Sequence, residues 1–133
     1  MIKYKKDHWW IKWFSPNYAT TLFSTIYVPV NWDSLTKLQQ DSLLAHENVH
    51  IEQFRKYWIL MSVAYLFLPL PFLFAYCRAK LELEAYLVQR EFDRSNGVDV
   101  ESDIYRNNLI NQFVGSSYLY MFVCKKTVEK WIR

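Results

Sequence analysis

Residues 43–54 read LLAHENVHIEQF, and the two histidines inside that stretch decide how the rest of the 133-residue chain is read. His46 and His50 are separated by one helical turn: in an α-helix their spacing advances about 400°, so both imidazoles leave the same face. That is the separation two ligands of one zinc ion need. Glu47 lies about 100° round from His46, near enough to serve a metal-held water without being a ligand itself. Zinc lowers the pKa of such a water, and a neighbouring carboxylate takes its proton as the nucleophile forms. The stretch therefore points to Zn2+ as cofactor, His46 and His50 as ligands and Glu47 as the catalytic base. The bland alternative is a surface helix with accidental histidines.

A hydrolytic zinc site takes a third protein ligand and keeps its fourth position open. Downstream, RAKLELEAYLVQREFD (residues 78–93) offers Glu82 and Glu84. A helical wheel puts Lys80, Glu84, Leu87, Glu91 and Arg94 on one side, a charged stripe suited to water. Ala75, Arg78, Glu82, Ala85, Gln89 and Asp93 fall opposite, where small residues admit a close neighbour and polar ones are costly to bury without a purpose. Glu82 is the better third ligand; a surface pairing of Glu82 with Arg78 is the competing reading. On the first helix Gln53 and Tyr57 fall beneath the histidines, while Asn48, Glu52, Arg55 and Lys56 point away. Gln53 either braces a ligand from behind or is an ordinary polar residue at the edge of the site.

From Tyr57 to Cys77 no residue is charged, a length that raises the question of a bilayer. As one spanning helix it would hold His50 and Glu82 about 30 Å apart, whereas ligands converge to about 2 Å from one ion. Pro69 and Pro71 in LPLP break a helix where a hairpin has to turn. The expected arrangement is two packed helices with the apolar length buried in a helical core; a hairpin dipping into a membrane is the alternative.

Around these helices the chain reads as a single domain, residues 1–133, of mainly α (α+β) class. It is 52% hydrophobic and 19% aromatic with only 2 glycines, which suits a compact, mostly helical core and excludes disorder. YATTLFSTIYVPV (residues 18–30) predicts one or two strands ending at Pro29. A helix is expected from Ser34 to Phe67, capped by Asp33 or Ser34 and broken near Asp41. A second spans Phe72 to Ser95, closed by Asn96-Gly97 as a left-handed cap, and a third region covers Ser102 to Trp131 with a break at Gly115.

The net charge of +3 is mild, and Lys3, Lys5, Lys6, Lys125, Lys126 and Lys130 are too sparse for a nucleic-acid footprint. They read as a solvated, slightly basic surface. Cys77 and Cys124 match no metal spacing and are expected as buried free thiols. MIKYKKDHWWIKWF at the start carries indoles where a secretory signal has an apolar core, so a cytoplasmic or virion-associated location is expected. His8 is expected to be partly exposed and not a ligand. Trp9, Trp10, Trp13 and Phe14 form an aromatic cluster expected for the core or a partner contact, with a membrane anchor as the alternative.

H-E-x-x-H on one helix, followed by a helix carrying Glu82-Leu83-Glu84-Ala85-Tyr86, resembles the gluzincin branch of zinc metallopeptidases. The wider pattern TIYVP, HENVHIEQ and RAKLELEAY, over residues 20–93, is similar to small metallopeptidase-like proteins of bacteriophages and bacteria. The resemblance implies a helical zincin-like domain with a small N-terminal β element. It also implies zinc on His46, His50 and Glu82, Glu47 as acid/base, and a peptide or protein substrate aligned as an added strand near residues 22–28. Where many gluzincins carry Asp after the E-x-x-A stretch, this chain has Tyr86. Arg78, Tyr86, Tyr118 and Tyr120 are unranked candidates for stabilising the oxyanion. Three functions compete: zinc-dependent peptide-bond hydrolysis; a zinc-binding structural protein without turnover, such as a phage particle component with homo-oligomer contacts through the aromatic N-terminus; and a membrane-associated protease.

Overall fold

The computed structural model describes residues 1–8, 16–22, 24–66, 71–114 and 125–132, with the backbone alone for residues 22, 59–66 and 71–75. Trp9, Trp10, Trp13, Phe14, Pro69, Gly115, Tyr118, Tyr120 and Cys124 lie outside the described residues. The described elements are strands β1 (Ile2–Tyr4), β2 (Thr20–Leu22) and β3 (Thr25–Val28), then helices α1 (Lys37–Leu66), α2 (Pro71–Ser95), α3 (Asp103–Val114) and α4 (Lys125–Ile132). The chain is mainly helical with one small sheet, as its composition indicated.

The sheet runs β1-β3-β2. β2 pairs antiparallel with β3, placing Thr21 opposite Ile26. β1 pairs parallel with β3, Ile2 opposite Ile26 and Tyr4 opposite Val28. Residues 20–28 form strands as their Thr, Ile and Val content predicted, whereas β1 was not anticipated. It is short and lysine-bearing, and its pairing with a remote strand supplies what its own composition lacks. Both edges of β3 are taken, so the expectation that residues 22–28 accept an added strand is corrected: among the described residues the open edge beside α1 is that of β2.

α1 begins after a reciprocal cap. The Gln39 N–H donates to Thr36 Oγ1 at 3.2 Å, and the Thr36 N–H donates to Gln39 Oε1 at 2.9 Å. The expected caps Asp33 and Ser34 instead sit in a single 3-10 turn, Trp32–Ser34. The expected break near Asp41 is absent; α1 is interrupted at Tyr57, whose φ of −116° and ψ of 20° leave the helical region. α2 opens on Pro71, at the first helical position where its missing N–H costs nothing. It closes as anticipated: Gly97 takes φ of 83°, the Val98 N–H reaches Asp93 O and the Gly97 N–H reaches Arg94 O. Ser102 caps α3 through the Tyr105 N–H.

Two apolar clusters flank the site. Ile26, Val28 and Trp32 pack with Leu35, Leu43, Leu44 and Ile51, joining the sheet to α1. Ala79, Tyr86, Leu109, Ile110, Phe113, Val128 and Ile132 join α2 to α3 and α4. Between them α1 and α2 run antiparallel: Gln53 donates to Leu81 O at 2.9 Å, and Gln89 donates to Ser42 Oγ at 3.0 Å. Ala85 is fully buried, as the small-residue face of the wheel required. Arg90 fastens the far end, donating to Ile132 O at 2.6 Å and pairing with Glu101 at 2.8 Å.

Two expectations about single residues are corrected. Cys77 is exposed, not buried. Lys5 is fully buried rather than part of a solvated lysine cluster, since a carbonyl and a hydroxyl satisfy its ammonium. His8 is half-buried with its ring edge-on to Tyr27. No described helix is long and apolar enough to cross a membrane.

Candidate metal centre

His46 and His50 project from α1 one turn apart, and Glu82 meets them from α2. Their nearest ligand atoms form a triangle with sides of 3.2 Å between the two Nε2 atoms and 3.4 Å from each Nε2 to Glu82 Oε2. Donors held 2.0–2.1 Å from a tetrahedral ion lie roughly 3.3 Å from one another, so the triangle has the size such an ion requires. The donor set, two imidazoles and a carboxylate, is one that zinc takes. His46 and Glu82 are buried and His50 nearly so.

The electrostatics of the three groups make the same demand. Glu82 Oε2 is buried and receives no hydrogen bond among the described residues, an expense that a charge among the donors would offset. Burial pushes the Glu82 carboxyl up, but the facing imidazoles outweigh it and hold it well below the ordinary carboxylate range. Burial pushes His50 down, and the Glu82 carboxylate 3.4 Å away, with the charge of Glu47, outweighs that and raises it. A cation among these atoms would compete with the His50 proton for the carboxylate.

Gln53 fixes which nitrogen of His50 faces the triangle. Its amide nitrogen donates to Leu81 O and to Glu84 Oε2, both at 2.9 Å, which turns its oxygen toward His50 Nδ1 at 2.9 Å. The Nδ1–H therefore donates to Gln53, and in the neutral ring Nε2 is left with its lone pair toward Glu82 and His46. Gln53 thus holds the His50 ring from behind and is not merely a polar residue at the edge of the cluster. Glu84 is exposed and serves that brace, not the triangle.

Tyr86 occupies the other flank. Its ring packs edge-on against His46 with centroids 4.4 Å apart. His46 Nδ1, buried, has no hydrogen-bond partner among the described residues, so packing rather than a carboxylate orients this imidazole. Arg78 is half-buried one turn before Glu82 and does not line the adjoining cavity, whereas Tyr86 does.

Glu47 is buried and stands beside the triangle. Thr21 Oγ1 on β2 donates to Glu47 Oε2 at 2.6 Å. Lys5 extends this contact: its Nζ donates to Tyr18 O at 2.6 Å and to Thr20 Oγ1 at 2.7 Å, close enough to Glu47 to feel its charge. Loss of water lowers the Lys5 ammonium to about 8 against the raising effect of Glu47. Thr21 and Lys5 were not singled out in the sequence. A period-two reading of β2 would have shown which face Thr21 takes, but nothing local announces that α1 covers that face. A cavity of about 210 Å³ opens at His46, Glu47 and Tyr86 and is walled further by Tyr18, Gln89 and Gln112.

Compared with protein-family models, with curated proteins and with solved structures, the chain finds no match. The assignment of function rests on the site's own chemistry.

Proposed function

We propose that this chain is a zinc-dependent peptide hydrolase of gluzincin type, built on a zincin-like helical domain. The observation that carries the reading is the triangle of His46, His50 and Glu82 with a buried carboxylate, Glu47, at its side. When bound, zinc supplies Lewis acidity toward water and toward the scissile carbonyl. The remaining chemistry belongs to the chain. Glu47 accepts a proton from the attacking water and returns it to the leaving amine, the acid/base work a carboxylate performs when held in place. Thr21 holds that carboxylate by its Oε2. Tyr86, at the cavity wall, is the candidate donor to the developing oxyanion. The open edge of β2 aligns the peptide backbone, bringing its scissile bond past Glu47.

Two measurements test the reading. Purified protein is expected to hold one zinc per chain, and the His46→Ala variant to lose it; equal zinc in both removes the premise. Against a peptide library, Glu47→Gln is expected to lose about 100-fold or more of the cleavage rate while retaining the metal. Cleavage that survives this substitution rules out Glu47 as the base, and zinc without cleavage in the wild type leaves a binding protein in place of an enzyme.

A further inference from the structure

Two side chains that line the cavity each leave one polar atom unpaired, and the two atoms are opposite in kind. His46 Nδ1 and Gln112 Oε1 are both shut off from solvent, and neither has a hydrogen-bond partner among the described residues. Both residues border the same space of about 210 Å³. Folding strips such atoms of water and returns nothing, so each calls for an account. The proposed catalytic steps use neither.

The donor triangle decides what His46 Nδ1 has to be. His46 Nε2 faces His50 Nε2 at 3.2 Å and Glu82 Oε2 at 3.4 Å, so a cation in the triangle takes the lone pair of that nitrogen. A neutral imidazole carries one N–H. With Nε2 taken, the proton stands on Nδ1, which becomes a donor. Ligating histidines nearly always give this N–H to a carboxylate, a carbonyl or a water. His50 gives its own to Gln53 Oε1 at 2.9 Å. His46 has the matching nitrogen without an acceptor among the described residues, at a place water does not reach.

The acceptor stands on α3. Gln112 is the chain neighbour of Phe113, whose ring lies 5.4 Å from that of Tyr86, and the Tyr86 ring lies 4.4 Å from that of His46. Other polar groups around the cavity are already engaged: Glu47 Oε2 accepts from Thr21, and the Gln89 amide nitrogen donates to Ser42 Oγ. Among the described side chains that line the cavity, Gln112 Oε1 is the one acceptor both buried and without a donor. We propose that Gln112 is a positioning residue of the metal centre, its Oε1 accepting the Nδ1–H of His46 and holding that imidazole toward the ion as Gln53 holds His50. The bond forms when an ion takes Nε2, because only then is Nδ1 held as a donor. Gln112 is only half-buried, so its carboxamide has room to turn. Each unpaired atom then satisfies the other. Zinc on the triangle, the premise of the proposed function, is required for this bond; peptide cleavage is not. Three helices then build the centre: α1 and α2 supply the ligands, and α3 steadies the one that α1 leaves unbraced.

The test compares the full chain with its Gln112→Leu and Gln112→Glu variants. Leucine keeps the bulk and deletes the acceptor, whereas glutamate keeps an acceptor in place. Zinc affinity, read by competition with a chromophoric chelator, is expected to fall about 10- to 100-fold in Gln112→Leu and to be kept or raised in Gln112→Glu. The zinc-free Tm of Gln112→Leu is expected to equal or exceed that of the wild type, since an apolar side chain replaces a buried polar group without a partner. A merely structural role gives the reverse, a lower Tm with unchanged affinity. One readout needs no variant to fold. In zinc-loaded wild type with nitrogen-15-labelled histidine, the His46 Nδ1 proton is expected to exchange slowly and to give a cross-peak to the Gln112 side-chain amide. Absence of that cross-peak overturns the proposal, as does equal zinc affinity in wild type and a folded Gln112→Leu. A wild type that takes up no zinc overturns this proposal and the hydrolase reading together. Bound zinc and the cross-peak without peptide cleavage uphold this proposal while the hydrolase reading falls.

Discussion

The hydroxyl of Thr21 donates to Glu47 Oε2 at 2.6 Å, so the strand beside the site holds the carboxylate that α1 supplies. A base that rotates freely reaches the attacking water only part of the time. Thr21→Val removes the donor while keeping the β-branched shape, and is expected to lower kcat about 10- to 100-fold with little change in KM. Thr21→Ser, which restores the hydroxyl, is expected to recover most of that loss. Steady-state kinetics of the two variants on one cleaved peptide decide it, and equal kcat values would mean that Thr21 is only structural.

Gln53 reaches both sides of the helix pair, bonding His50 Nδ1, Leu81 O and Glu84. Gln53→Leu keeps the bulk and deletes the acceptor that sets the His50 tautomer. Zinc affinity, measured by competition with a chromophoric chelator, is expected to fall about 10- to 100-fold. An unchanged affinity in a folded variant would show that packing alone orients the ring.

What the sequence disclosed follows from what is local in it. The i, i+4 histidines, the small-and-polar face around Glu82 and the Asn96-Gly97 stop all lie within one or two helical turns of the residues that explain them. The reciprocal cap of Thr36 and Gln39 was equally local and is a recognisable pattern, yet Asp33 and Ser34 drew the helix start three residues too early. β1, the burial of Lys5 and the contact of Thr21 with Glu47 are different in kind. Each depends on strands and helices meeting across the fold, and neither periodicity nor composition encodes such a meeting. Lys5 shows it most plainly: among three lysines within four positions, only tertiary contacts with Tyr18 and Thr20 distinguish the buried one.

That buried lysine gives a pH signature. Its ammonium titrates at about 8 in the folded chain, lowered chiefly by loss of water, against about 10.4 when unfolded. Between those values the unfolded state binds more protons, so the cost of burying this ammonium is full below the window and is lost as pH rises through it. Lys5→Met removes the titration. The difference in Tm between wild type and Lys5→Met is expected to shift in favour of the wild type from pH 7.5 to pH 10, about the span of the window. A difference that stays constant would place the ammonium in water.

Phe113 connects fold stability to the site by a short chain of rings. It is fully buried, its ring lies 5.4 Å from that of Tyr86 and 6.5 Å from that of Trp131, and Tyr86 in turn packs on His46. Phe113→Ala opens a cavity in the α2–α3–α4 cluster and is expected to cost about 3–5 kcal/mol, lowering Tm by about 10 °C or more. Because His46 Nδ1 has no hydrogen bond among the described residues to fix it, a Tyr86 ring that settles into the new space also frees that imidazole. Zinc affinity is therefore expected to weaken in Phe113→Ala well below its unfolding temperature, and to recover in Phe113→Leu, which refills most of the cavity. Thermal melts with and without zinc measure both effects on one sample. If the metal-induced rise in Tm is the same in wild type and Phe113→Ala, the ring chain carries stability alone and His46 is held by its own helix.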